Sequence, residues 1–297
     1  MAIQTNETKK IGKARILIIG CGDVGGRLLP MLTPTHQVFV LTSQPQKAIL
    51  LRQLGVIPIV GDLDQLHSLK RLTSLASTVI HLAPPNSYGN KDLRTQNLIR
   101  ILSQARGVRR FIYISTSGVY GDCEGAWVGE ERTPSPMNDR ARRRVNAESQ
   151  IRAWAIKQNI AATILRVPGI YAQNRLPLER IRNATPILKE ECDIYTNHIH
   201  ADDLARIIQI AVYRGAPQRI FNASDESYLK MGQYMEKVAT KFGLPLPPRV
   251  DFQGLKDQVS PMALSIMSES RRLKSKRLHE MGIKLYFPHV DDFLKTI

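Results

Sequence analysis

The sequence predicts an α/β fold: a doubly wound parallel sheet followed by a smaller C-terminal lobe. Three observations carry that expectation. Short apolar runs alternate with segments of helical spacing through the first half, a glycine-rich turn follows the first run, and the rhythm breaks after Pro168.

The runs are RILIIG (Arg15–Gly20), HQVFVL (His36–Leu41), VIPIV (Val56–Val60), STVIHLA (Ser77–Ala83), RRFIYIST (Arg109–Thr116) and AATILRV (Ala161–Val167). They are short, rich in branched residues and apolar on both sides, as strands covered on both faces must be. Helical spacing fills the gaps at Val24–Leu32, Gln46–Leu54, Gln65–Leu72, Asp92–Ala105 and Arg140–Asn159. Beyond Pro168 come proline, short strands and the helices Asp203–Tyr213 and Lys230–Phe242, and SESRRLKSKRL (Ser268–Leu278) is expected to be a charged helix. The expected organisation is a flexible segment 1–14, a nucleotide-binding domain 15–167, and a mainly substrate-binding lobe 168–297 interleaved with it.

Composition narrows the function classes. The chain has 297 residues, 43% hydrophobic and 23% charged, which are ordinary globular values. Its 42 Lys and Arg against 26 Asp and Glu give a formal charge of +16, which favours an anionic ligand. Aromatics are only 6% and the basic residues are scattered, so a nucleic-acid surface is disfavoured. Three cysteines without close spacing argue against a disulfide framework or a zinc site. With no signal-peptide run and no apolar stretch long enough for a bilayer, a cytoplasmic protein without membrane contact is expected.

The loop after the first run reads GCGDVG, with Gly20, Gly22 and Gly25 in G-x-G-x-x-G spacing. The first glycine permits a tight turn, the second admits a pyrophosphate, and the third lets the helix pack close to the strand. Because the loop joins the first strand to the first helix, the pattern predicts a Rossmann-type NAD(P) site. An NAD site carries an acid about 20 residues on, but no Asp or Glu lies between Asp23 and Asp62. The second strand ends in Thr42 and Ser43, with Arg27, Lys47 and Arg52 as basic neighbours. NADP is therefore the expected cofactor, with NAD as the alternative.

Further motifs follow in order: GDLDQLHSL (Gly61–Leu69), HLAPP (His81–Pro85), YISTSGVYGD (Tyr113–Asp122), LRVPGIYA (Leu165–Ala172), NHIHADDLAR (Asn197–Arg206) and FNASD (Phe221–Asp225). From Arg15 to the C-terminus the chain resembles the extended short-chain dehydrogenase/reductases, the NAD-dependent epimerase/dehydratase family. The resemblance implies cofactor contacts at the glycine turn (Gly20, Gly22, Asp23, Val24, Gly25) and beside the adenine (Asp62, Leu63). It implies further contacts along the cofactor (Leu82, Ala83, Thr116, Pro168), and it makes the segment holding Pro168 the passage into the substrate lobe.

In that family a Ser or Thr after the fifth strand works with a Tyr-x-x-x-Lys on the next helix. Thr116 takes the first position. Counting back from Ala147-Glu148 puts Arg140 at the tyrosine position and Arg144 at the lysine position. A guanidinium keeps its protons beyond about pH 12 and cannot serve as general acid or base at neutral pH. Arg144 is instead expected to bind the nicotinamide ribose and Arg140 an anionic group, with Arg142 and Arg143 turned to water. Tyr120 is a further catalytic candidate, and Asp122 and Tyr171 are expected to border the cleft. His198-x-His200 with Asp202 and Asp203 has the look of a metal site but is better explained as a strand end with an aspartate capping a helix, so no metal is expected. Cys21 sits where a helix N-terminus lowers a thiol pKa, yet it reads first as a small residue beside the pyrophosphate.

Two function classes stand. One is an NAD(P)-dependent oxidoreductase or epimerase acting on an anionic small molecule with a non-standard proton donor. The other is a non-catalytic NAD(P)-binding regulator or sensor. A homodimer is left open by the sequence.

Overall fold

A computed structural model of the chain describes residues 12–256, 258–259, 264–265 and 267–297. Most of the segment expected to be flexible, 1–14, lies outside the described residues, and β1 already begins at Ala14.

Seven strands form one parallel sheet: β1 (Ala14–Ile19), β2 (His36–Thr42), β3 (Ile57–Val60), β4 (Thr78–His81), β5 (Arg110–Thr116), β7 (Ala161–Val167) and β11 (Arg219–Asn222). Their spatial order is β11-β7-β5-β4-β1-β2-β3. The order reverses at β1 and β4, which places a crevice outside the carboxyl ends of those strands. Residues of alternate parity serve the two faces, as a pleated strand requires. Ile16, Ile18, Val38, Val40 and Ile112 enter one core with α1 (Asp23–Leu32) and α6 (Ala201–Arg214). Leu17, Ile19, Phe39, Leu41, Phe111 and Tyr113 enter the other with α3 (Leu93–Leu102) and α4 (Asp139–Gln158). The expected doubly wound α/β sheet is thus observed.

Local chemistry sets the ends of α4. The Asn138 side chain accepts from Ala141 N at 2.9 Å, and Asn159 closes the helix in the left-handed conformation at φ 54°. A short helix, α2 (Lys47–Gln53), links β2 to β3. The stretch expected as a helix around Gln65–Leu72 is a 3-10 segment, Leu66–Leu72, tightened where Ser68 Oγ accepts from Asp62 N at 2.8 Å.

The remaining elements are short. Three two-stranded parallel pairs join β8 (Gly169–Tyr171) to β10 (His198–His200), β9 (Ile187–Leu188) to β12 (Arg249–Val250), and β6 (Trp127–Val128) to β13 (Arg272–Leu273). Helices α5 (Leu178–Arg182), α7 (Met231–Lys241) and α9 (Val290–Leu294) bury Ile181, Met235, Val238 and Phe293 in a third core, and α8 (Phe252–Lys256) buries Leu255 in a small fourth one.

One expectation is overturned here. Ser268–Leu278 is not a charged helix: Arg272–Leu273 extends along Trp127–Val128, and a 3-10 turn begins at Lys276. The Arg272 guanidinium lies 4.8 Å from the Trp127 ring centroid and 4.5 Å from that of Tyr195. Stacking and strand pairing, both tertiary, override the helical propensity of a basic run. Among the described residues no helix is long and apolar enough to cross a membrane.

Candidate functional site

The glycine turn sits at the end of β1. Gly20 adopts φ +82°, which L side chains rarely occupy, and a Cβ there would meet Ala83 at 3.1 Å. A Cβ on Gly25 would meet Cys21 Sγ at 3.0 Å and Leu82 Cδ1 at 3.3 Å, so the helix approaches β4 too closely for a side chain. A Cβ on Gly22 would meet nothing within 4 Å. Gly22 is the N-cap of α1 and no side chain caps its free N–H groups, so the helix presents an open, positively polarised end. These are the properties a dinucleotide's pyrophosphate needs, and the residues present fit the group.

The other expected cofactor residues form a stripe along the strand ends. Thr42 closes β2 with Oγ1 accepting from Gln44 N at 3.2 Å, and Ser43 beyond it is exposed. Asp62 Oδ1 accepts from Asp64 N at 2.9 Å, and Leu63 is buried with its carbonyl accepting from Asn97 Nδ2 at 2.8 Å. Leu82 N and Ala83 N both donate to Ile19 O at 2.9 Å, which holds that segment beside the glycine turn. Val24 and Pro168 are half-buried.

Charged neighbours of the turn are largely spent on one another. Arg27 donates to Asp202 at 2.6 Å and pairs with Asp23 at 3.3 Å. Burial alone would raise the Asp23 carboxyl, but Asn174, Arg27 and Arg175 together hold it below the usual range. Arg27 is therefore not the free basic neighbour of β2 that the sequence suggested. Burial raises the Cys21 thiol against the pull of Lys47, so Cys21 is no activated thiolate.

Across the sheet edge, a cavity of about 780 Å³ opens between the end of β5 and the C-terminal lobe. Thr116 and Arg140 line it, as do Pro168 and Gly169 on the passage into the lobe. Thr116 Oγ1 accepts from Gly118 N at 3.2 Å. Arg144 lies on the sheet side of the helix instead, donating to Tyr113 OH at 3.0 Å and Ile114 O at 2.8 Å.

Arg142 is exposed and pairs with Asp139 at 2.9 Å, whereas Arg143 is buried, only 8% exposed, and donates to Gly89 O. The expectation that Arg143 faces water is therefore wrong. At about 3.6 residues per turn, positions 140, 143 and 144 share one side of a helix and only 142 lies opposite.

Behind α4 a buried network fixes the helix. Glu148 pairs with Arg166 at 2.7 Å and accepts from Ser115 Oγ at 2.6 Å. The Arg166 guanidinium stacks 4.6 Å from the Tyr120 ring centroid, and Tyr120 OH donates to Asn222 Oδ1 at 2.8 Å. Tyr120 is fully buried, with burial raising its hydroxyl. It belongs to this network rather than to the cleft surface, because the ring serves as the stacking plane for Arg166.

Tyr171 is also buried, against Asp225, and burial raises it too. Asp122 is a loop brace whose carboxylate accepts from Ser270 N at 2.8 Å. None of the three borders the cleft as expected.

His198 lines the cleft, stacked 4.1 Å from the Tyr234 ring centroid, and burial pushes it down to about 3. His200 packs against Phe287 and Phe293. It caps α6 through Nδ1, which accepts from Asp202 N at 3.3 Å, so the cap is the histidine and not an aspartate. Among the described residues no group of three His, Cys, Asp or Glu could hold a metal ion.

Sequence reasoning missed several cleft residues. Arg175 and Arg180 reach it from around α5, and Tyr195 from the segment before β10. Arg271, weighed only as a marginal candidate, lines it while paired with Glu269 at 2.9 Å. The signal was faint: the LERIR stretch puts Arg180 and Arg182 around one apolar Ile181, which fits any short amphipathic turn.

A glycine turn, a strand-edge stripe and an interlobe cavity on this sheet define a Rossmann-type α/β protein. The chain belongs to the NAD dependent epimerase/dehydratase family, whose model matches residues 16–224. It is 22% identical over 195 residues to a trifunctional UDP-glucose 4,6-dehydratase/UDP-4-keto-6-deoxy-D-glucose 3,5-epimerase/UDP-4-keto-L-rhamnose-reductase of Arabidopsis thaliana. That alignment covers 58% of this chain and 29% of the plant protein, so the chain spans under a third of that relative's length. A functionally unknown conserved protein from Silicibacter pomeroyi superposes with a TM-score of 0.80 at 27% identity, covering 96% of this chain and 98% of that one. The MoeE5 complex with UDP-glucose and NAD superposes with a TM-score of 0.73 at 21% identity, covering 95% and 97%.

Proposed function

We propose that this chain is an NAD(P)-dependent oxidoreductase or epimerase that acts on an anionic small molecule, in the manner of the family's sugar-nucleotide enzymes. The observation that carries the reading is the cavity of about 780 Å³ that has Thr116 on its sheet-edge wall and five arginines among its lining residues. The backbone of Gly20 to Gly25 would hold the pyrophosphate at the end of α1, and Asp62, Leu63, Leu82 and Ala83 would flank the rest of the cofactor. Thr42 and Ser43 would meet the adenosine ribose. With no carboxylate there, and Lys47 at the start of α2, a 2′-phosphate is favoured, so NADP(H) is the preferred form. When bound, the nicotinamide supplies the hydride acceptor or donor.

The chain's own residues do the rest. Thr116 offers a hydroxyl to the reacting group, and Arg144, braced by Tyr113 and Ile114, orients the nicotinamide ribose. Helix α4 contains no tyrosine, so the proton donor is another group of the cleft. Tyr195 is the residue to test first, because its phenol lines the cleft and its ring is held by the stacked Arg272 guanidinium.

A second reading is favoured by one observation: Tyr120 and Tyr171, the phenols nearest the family's catalytic motifs, are both sealed in the interior. It makes the chain a dinucleotide sensor that binds without turnover. Calorimetry with NADPH and NADH, followed by NMR of a sugar-nucleotide panel incubated with the loaded protein, separates the two. Binding with conversion supports the enzyme, binding without conversion the sensor, and absence of dinucleotide binding sinks both.

A further inference from the structure

Among the described residues, two sets of arginines face the cleft without acids to neutralise them. On α4, Arg140 has only the like charges of Arg144 and Arg143 as its strong electrostatic neighbours among the described residues. Beside it Arg143, nine-tenths buried, leaves Nε without a hydrogen-bond partner among the described residues. On α5, Arg180 leaves Nη2 buried and without a partner among the described residues. The acid on the cleft wall, Glu269, is occupied by Arg271 at 2.9 Å and Asn138 at 3.1 Å.

A guanidinium group withdrawn from water without an acid, as at Arg143 and Arg180, is costly, and it is tolerated where a ligand brings the missing charge. Arg140 is exposed and joins them by lining the same cleft. The two sets stand on different supports. Arg140 and Arg143 belong to the helix beside Thr116, whereas Arg180 belongs to the lobe, one residue before Ile181 in the third core. The cavity of about 780 Å³ is sized for a whole small-molecule ligand rather than one inorganic anion.

We infer that the substrate of this cleft carries two separate anionic groups, one met by Arg140 and Arg143 at the reacting end and the other by Arg180 in the lobe. Within the sugar-nucleotide class on which this inference rests, the group met by Arg140 and Arg143 is a carboxylate on the sugar itself, and the group met by Arg180 is the diphosphate. Arg140 then acts as a selector of acidic over neutral sugars. It occupies the wall from which a proton donor is missing.

The test uses a matched pair of probes, UDP-glucuronate and UDP-glucose, titrated into the full chain already saturated with dinucleotide. The wild type should bind UDP-glucuronate at least about tenfold more tightly, the scale of one charge-assisted contact. Arg140→Met should bring the two affinities together by weakening UDP-glucuronate alone, and Arg140→Lys should retain most of the preference. Arg180→Met should weaken both probes by a similar factor. Equal affinities in the wild type would overturn the inference while leaving the sugar-nucleotide reading intact, because both probes would still bind. Failure of both probes on a protein that holds its dinucleotide would overturn both. A preference that survives Arg140→Met would place the second anion elsewhere and refute the assignment.

Discussion

The glycine turn and the arginine side of α4 would, in the proposed function, recognise their ligands with different parts of the chain. At the turn the backbone does the work: Gly20 holds φ +82°, Gly25 packs against Cys21 and Leu82, and Gly22 leaves its side open. On α4 the backbone is ordinary helix, and every functional property lies in how far each side chain is buried and what it meets. A backbone site tolerates one residue type per position, so spacing alone reveals it. A side-chain site depends on helix rotation and on what the lobe lays over it, and spacing alone misleads.

The largest expected effect breaks that contrast most directly. Gly22→Val should abolish dinucleotide binding in calorimetry while leaving thermal stability close to wild type, because its Cβ meets nothing in the protein itself. Gly20→Ala should do the reverse in part, lowering stability by about 1–2 kcal/mol through its positive φ. If Gly22→Val bound normally, the turn would be a structural corner only.

On the α4 side, Arg144→Ala should weaken cofactor binding by about 1.5–3 kcal/mol, as expected for removing a charged donor from the ribose hydroxyls. Arg142→Ala, an exposed residue paired only with Asp139, should change it by less than about 0.5 kcal/mol. Equal small effects in the same titration would remove Arg144 from the cofactor site.

The fold was legible because apolar runs and helical spacing report local pattern, and the Rossmann order follows from that pattern with right-handed crossovers. The glycine turn was legible for the reason just given. Arg143 was misjudged because it was grouped with Arg142, although at about 3.6 residues per turn it shares the Arg140/Arg144 side, where the loop carrying Gly89 covers it. Arg180 was invisible because α5 has only five residues, too few for a periodicity to show. Tyr120 and Tyr171 were placed at the cleft by motif position, whereas Arg166 and Asp225 claim them for the interior. The fate of Ser268–Leu278 depended on Trp127, some 140 positions earlier, about which a local window says nothing.

A separate effect, on stability rather than binding, concerns the lobe. Burial pushes the Asp225 carboxyl up to about 8, far above its ordinary value. The folded chain therefore holds a proton that the unfolded chain has lost between about pH 4 and 8, so stability should fall as pH rises through that window. The slope approaches about 1.4 kcal/mol per pH unit. Denaturant titrations at pH 5 and 8 should show this fall in the wild type and a flatter dependence in Asp225→Asn. The same slope in both would assign the fall to other groups.

The smallest expected change sharpens the cofactor side. Thr42→Asp should shift preference toward NADH by roughly tenfold, because a carboxylate at the end of β2 bonds a ribose diol and repels a 2′-phosphate. A wild type that already binds NADH more tightly than NADPH would show that the missing acid carries no weight.

The contact between α1 and α6 has a consequence for how the chain comes into being. Arg27 and Asp202 meet at 2.6 Å across 175 positions, and Leu28, Leu29 and Leu32 share a core with Leu204 and Ile208. During synthesis the apolar stripe of α1 leaves the ribosome long before the helix that covers it. At about 5–20 residues per second the stripe stays bare for roughly ten seconds or more. A nascent chain stopped after β7 would still lack α6 and the edge strand β11. That fragment should be a client for chaperones rather than a stable nucleotide-binding domain, and the first half of the protein is committed to its fold only when the second half arrives.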